Sequence, residues 1–145
     1  MQKPMKLLSQ TVLTLLLAFN TLGTQADDAS VMCLAKNIYY EARGESKAGK
    51  LAVAKVTLNR VASPKFPETV CGVIYQKHQF SWTKNHKRKI VDNSAWRESL
   101  ELARHAIDTK LTYLNLPALY FHNATVSPKW GKKRLAKIGS HYFYK

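Results

Sequence analysis

Apolar positions recur at helical spacing in the stretch that opens at Ser30, where Leu34, Ile38 and Glu41 fall at i, i+4 and i+7. The spacing predicts a helix through about Ala42, capped by Ser30 and stopped by Gly44. Its stripe of hydrocarbon ends on a carboxylate, Glu41. "SKAGKLAVAKVTLNRVA" (Ser46 to Ala62) is Ala-rich and apolar on more than one side, which predicts a buried helix, although its V-A-K-V-T-L part also alternates like a strand. "SPKFP" (Ser63 to Pro67) reads as a turn, and "ETVCGVIYQ" behind it as a short helix. "QKHQFSWTKNHKRK" (Gln76 to Lys89) has no helical period and mixes rings with cations, so a loop or short hairpin is expected. Ser94 then caps an amphipathic helix, with Trp96, Leu100, Ala103 and Ile107 inward and Arg97 and Glu101 paired outward. "ALYFHN" (Ala118 to Asn123) and "SHYFYK" (Ser140 to Lys145) read as strands. Helices first and short strands later predict an α+β fold.

The first 26 residues fit an export signal: Lys3 and Lys6, then the apolar "VLTLLLAFNTL", then "TQA" before Asp27. The apolar run is too short to anchor in a bilayer, so no membrane span is expected once the signal is removed. A buried N-terminal helix is the alternative. Cys33 lacks the preceding small residue of a lipoprotein signal, so a soluble product in the periplasm, envelope or medium is expected. The chain thus divides into a signal peptide, 1–26, and a single domain, 27–145.

Charge narrows the partners. Removing residues 1–26 costs only Lys3 and Lys6, so the formal charge falls from +14 to +12. Such a field favours polyanions: nucleic acid, lipid head groups or the anionic polymers of a cell envelope. Export favours the last. In an oxidising compartment Cys33 and Cys71 suggest one structural disulfide, with two separate buried thiols as the alternative.

No G-x-S-x-G, P-loop, dinucleotide fingerprint or H-E-x-x-H occurs, and the five histidines are scattered. Neither a metal nor another cofactor is expected. Glu41 is the unusual residue, because burying an unpaired carboxylate is costly. Desolvation would raise its pKa, as a general acid requires, while Arg43 and the positive field would lower it. A helix-end ion pair is the ordinary alternative. Glu45 follows four residues later, but Gly44 lies between them, so capping or bracing the next helix suits Glu45 better than sharing a cleft with Glu41.

Four ordered motifs now bear on function: "YYEARGE" (Tyr39 to Glu45), "GKLAVAKVTLNR" (Gly49 to Arg60), "FPETVCGV" (Phe66 to Val73) and "QFS" (Gln79 to Ser81). Together with "LYFHN", "PKW" and "GSHYFY" in the tail, they resemble the SleB/CwlJ-type cell-wall hydrolases over nearly all of residues 27–145. The resemblance implies a lysozyme-like catalytic domain that cleaves the glycan strands of peptidoglycan as a lytic transglycosylase. It implies that Glu41 is the catalytic acid and that Arg43 and Glu45 belong to the turn supporting it. Gln79, Phe80 and Trp82 match the family's Q-F element and are expected to line the sugar site, with Tyr120 and His122 opposite; core packing is the alternative for Phe80 and Trp82. A monomer acting on peptidoglycan, with no nucleic-acid partner, is expected. The alternatives are an N-acetylmuramoyl-L-alanine amidase, and a non-catalytic cationic binder of envelope polymer using the Lys84 to Lys89 cluster beside Phe80 and Trp82.

Overall fold

The computed structural model describes the backbone of residues 21–85 and 87–145, and the side chains from residue 28 onward except 86. Most of the expected signal peptide, residues 1–20, lies outside the described residues. Four helices come first: α1 (Thr21–Ala42), α2 (Lys47–Val61), α3 (Val70–Tyr75) and α4 (Asn93–Thr109), with a 3-10 turn at Ser81–Lys84. Three strands follow, β1 (Tyr120–Asn123), β2 (Arg134–Ile138) and β3 (His141–Tyr144), in the antiparallel order β1-β3-β2. The expected class holds: a mainly helical α+β domain with a small antiparallel sheet.

Helix α1 starts at Thr21, so Ser30 is not its cap. No proline between Thr21 and Ala29 interrupts the helix, and Ser30 sits in its interior. Leu34 and Ile38 are fully buried, as their spacing predicts. Helix α2 settles the helix-or-strand ambiguity: Ser46 caps it by accepting from the Gly49 amide, as serine does before a first turn. Its several apolar sides separate two halves of the core. Leu51 and Ala54 pack with α1, α3 and α4, whereas Ala52, Val53 and Val56 pack against Phe143 and Leu116.

The short helix behind Pro67 is α3, capped by Thr69 on the Gly72 amide. A disulfide joins Cys33 of α1 to Cys71 of α3, with the Cα atoms 5.4 Å apart. The cap of α4 is Asp92, not Ser94, because its Oδ1 accepts from the Ala95 amide at 2.9 Å. Leu102, Ala103, Ala106 and Ile107 form the buried face of α4, with Trp96 and Leu100 at its margin. Arg97 and Glu101 both face solvent, and among the described residues the ion pairs α4 makes are Lys50–Glu98 and Arg104–Asp28.

Among the described residues of Gln76–Lys89 there is no hairpin. The segment runs as loop around the 3-10 turn. The two expected strands are β1 and β3, trimmed at their ends, and β2 ("RLAKI") is a strand the sequence reading missed. Phe121, Phe143 and His141 share the inner face of the sheet, towards α2, whereas Tyr120, His122, Tyr142 and Tyr144 share the outer face.

Candidate active site

The last turn of α1 fastens a distant loop over itself. The Tyr39 hydroxyl accepts from the amides of Val91 and Asp92, and the Tyr40 hydroxyl donates to the Arg88 carbonyl at 2.9 Å. The Arg88 guanidinium lies 5.0 Å from the centre of the Tyr40 ring. One residue further, Glu41 is half-buried, and no hydrogen bond or ion pair holds its carboxylate among the described residues. Burial pushes its pKa up, and the charge of Arg88 only partly opposes this. Beside Tyr40 a cavity of about 100 Å³ opens between Lys36, Tyr75, Trp82 and Arg88.

Glu45 has the opposite environment. Its carboxylate accepts from both the amide and the hydroxyl of Ser140, in the turn between β2 and β3. The Ser140 hydroxyl contributes most to holding its pKa below the usual range, the Ser140 amide adds to that, and burial opposes them. The imidazole Nδ1 of buried His141 is 3.8 Å from Glu45 Oε1, and burial pushes the His141 pKa down. Glu45 therefore ties the α1–α2 turn to the sheet; the cap of α2 is Ser46. Arg43 is exposed, its guanidinium 5.0 Å from the centre of the Tyr39 ring.

A second polar centre forms around Arg60, which sequence reasoning passed over. Its Nε donates to the Leu119 carbonyl at 2.7 Å and its Nη1 to Gln79 Oε1 at 2.9 Å. Its guanidinium lies among the rings of Phe66, Phe80 and Tyr120. Desolvation lowers its pKa to about 10, with Tyr120 acting the other way, so it stays charged at neutral pH. The available signal was an arginine closing a helix with no polar face to receive it.

Arg60 brings three of the expected substrate residues together: Gln79, Phe80 and Tyr120. Phe80 and Trp82 are buried, at 5% and 6% exposure, so packing claims the ring faces that the sequence reading offered to sugars. Trp82 Nε1 donates to Oδ1 of fully buried Asn37, on α1 one turn before Glu41. His122 lies on the outer sheet face, stacked on Tyr144 and bonded to its hydroxyl. A run of close-packed rings links the centres, from Phe80 to Phe121, then to His141 beside Glu45. Among the described residues no three or more His, Cys, Asp or Glu side chains converge as metal ligands.

Residues 44–144 match the cell wall hydrolase family. The chain belongs to that family. The matched span includes Glu45 and begins three residues after Glu41. Among curated proteins, the chain is 35% identical over 120 residues to the spore cortex-lytic enzyme of Oceanobacillus iheyensis, a match that covers 79% of this chain and 41% of that protein. It is 35% identical over 118 residues to the spore cortex-lytic enzyme of Bacillus subtilis, covering 78% of this chain and 36% of that protein. The chain thus spans about two fifths of the length of these relatives. Among solved structures, it resembles the catalytic domain of Bacillus cereus SleB with a TM-score of 0.64 and 31% identity, over 83% of this chain and 91% of that one. It also resembles the catalytic domain of the germination-specific lytic transglycosylase SleB from Bacillus anthracis, with a TM-score of 0.65 and 33% identity, over 83% and 95%.

Proposed function

We propose that the protein cleaves the glycan backbone of peptidoglycan as a lytic transglycosylase, with Glu41 as general acid and then base. The observation that carries this reading is Glu41 itself, a half-buried carboxyl at a helix end with its pKa raised by desolvation. Such a group keeps a proton to donate at a pH where an exposed glutamate has lost it. The likeness to the Bacillus anthracis lytic transglycosylase domain supports the same reading.

The chemistry needs one carboxyl. Glu41 protonates the bridging oxygen as the bond from the muramic C1 breaks, and the leaving sugar departs as an alcohol. The substrate's own acetamido oxygen stabilises the positive charge developing at C1. The muramic 6-hydroxyl then attacks C1, closing a 1,6-anhydro ring, and returns its proton to the Glu41 carboxylate. Acid and base balance, no water is consumed, and the enzyme ends as it began.

Neighbouring groups suit these steps. Arg88 keeps the Glu41 carboxyl from becoming too weak an acid. Gln79 accepts from Arg60 through Oε1, which orients its amide nitrogen to donate, for example to an acetamido carbonyl. Tyr120, against Arg60, offers a half-exposed ring for the sugar beside Gln79, whereas His122 faces outward with Tyr144. Phe80 and Trp82 position the loop, and Arg43 and Glu45 support the turn that follows the acid.

We further take residues 1–26 as a signal peptide, so that the exported protein begins at Asp27 in the cell envelope and acts there as a monomer. Its intact mass checks the cleavage site. For the catalytic assignment, Glu41→Gln keeps the shape and removes the proton. On purified sacculi it lowers turnover by about 10²–10⁴-fold with folding intact, the usual contribution of general acid–base help. An active Glu41→Gln protein overturns the assignment.

A further inference from the structure

The outer face of the sheet is built as a binding surface. Residues 109–145 hold seven Lys and Arg and no acidic side chain. On the outer face the rings of Tyr120, His122, Tyr142 and Tyr144 lie side by side, each half-exposed, because their register puts them on one side of adjacent strands. Trp130, 42% exposed, leans edge-on against His122 and Tyr144. Arg134 and Lys137 place their charges 5.2 and 5.3 Å from the centre of the Tyr142 ring, and Lys132 lies 3.7 Å from that of Tyr120. The helices pack on the opposite face, through Phe121 and Phe143. Cross-strand ring pairs and ring–cation contacts stabilise the sheet modestly, but they leave ring faces and cations open to solvent, with no ion pair on Lys132, Arg134 or Lys137 among the described residues. A polymer that stacks sugars and carries carboxylates would cover both.

We infer that this face is a second, non-catalytic site for the wall polymer, with sugar rings on the Tyr142, Tyr144 and Trp130 surfaces and stem-peptide carboxylates on Lys132, Arg134 and Lys137. The inference rests on the proposed substrate but not on the cleavage mechanism. Tyr120 joins the two regions, since its ring contacts both Trp130 and Arg60, the residue that holds Gln79. A glycan strand on the sheet would therefore run on towards Gln79. The carboxylate that the structure ties to the sheet, Glu45, bonds Ser140 at the hairpin turn and leaves the outer face uniformly basic.

The test separates holding from cutting. Full-length exported wild type, Arg134→Gln/Lys137→Gln and Trp130→Ala are sedimented with purified sacculi at several salt concentrations. Turnover is measured in parallel on short soluble glycan fragments that fill the catalytic cleft alone. The charge variant should bind sacculi about tenfold more weakly at low salt, with a flatter salt dependence, because two screened attractions are gone. Trp130→Ala should weaken binding by a similar factor with the salt dependence kept. Both should turn over the short fragments as wild type does. Unchanged affinity for sacculi in both variants overturns the inference, as does an equal loss on the short fragments. Preferential binding of single-stranded DNA over sacculi by the wild type, lost in the same variants, also overturns it. If the wild type binds sacculi through this face but cuts nothing, the inference stands and the transglycosylase reading fails.

Discussion

Glu45 accepts hydrogen bonds from the amide and the hydroxyl of Ser140, 95 residues later in the chain. This pair closes the turn after α1 onto the β2–β3 hairpin, and so joins the helical half of the domain to the sheet. The geometry also explains the residue before Ser140: Gly139 has φ +56, and a Cβ there would collide with the Glu45 carboxylate.

Replacing either partner should loosen the junction. Glu45→Gln and Ser140→Ala are each expected to cost about 1.5–3 kcal/mol, the usual range for hydrogen bonds to a charged group. Because the two act on one contact, the double variant should cost less than the sum, which chemical denaturation measures. Activity should fall in both, by less than in Glu41→Gln, since the turn positions the acid and does not supply the proton.

Acid stability follows from the same pair. A carboxylate whose folded pKa is depressed adds stability that is fully present above its unfolded value of 4.5 and is lost as pH falls through the folded one. Glu41 has the opposite sign: its raised pKa destabilises the fold as pH climbs above 4.5 and the carboxyl ionises. At neutral pH, then, Glu41→Gln should melt slightly above wild type and Glu45→Gln below it. Below about pH 4 both differences should shrink. Thermal melts of the two variants across pH 3–8 check the crossing signs.

Much of this scaffold was legible in the chain, for local reasons. The apolar faces of α1, α2 and α4 and the turn before α3 declare themselves within a few residues, and the two cysteines had only each other. What escaped depends on distance or on competing signals. Strand β2 is five residues long with Arg134 at its start and Lys137 within, so its charges hide the alternation. Asp92 outcompeted Ser94 as a cap by standing at the right spacing to Ala95. The Glu41 carboxylate was visible because it interrupts an apolar stripe, but its neighbour Arg88 comes from a loop that Tyr39 and Tyr40 pin in place, which no local pattern encodes. For Phe80 and Trp82 the chain left sugar-lining and core packing both open, because rings beside cations in sequence suit either; both are buried in the fold.

Arg60 should be as sensitive as any residue outside the reaction. Arg60→Met removes the donors to Leu119 and Gln79 and should cost roughly 2–3 kcal/mol. Arg60→Lys should recover little, because an ammonium cannot span both acceptors in the plane of a guanidinium. If Gln79 reads the substrate, Gln79→Ala should raise KM with the melting temperature nearly unchanged, whereas Arg60→Met moves both.

The Cys33–Cys71 bridge closes a separation of 38 residues between α1 and α3. Reduction should cost about 3–4 kcal/mol by loop-closure entropy, and thermal melts with and without reductant measure it. Equal melting temperatures would show that the helix packing alone fixes α3.

The central claim is that Glu41 drives an internal transfer, with no water consumed and no metal needed. Mass spectrometry of the products released from purified sacculi by the wild type tests it most directly. The account predicts fragments ending in 1,6-anhydro-muramic acid, formed equally with and without a chelator and absent with Glu41→Gln. Reducing-end muramic acid would mean that water, not the 6-hydroxyl, is the acceptor. Free stem peptides that disappear on chelation would mean the enzyme is an amidase and would contradict the account.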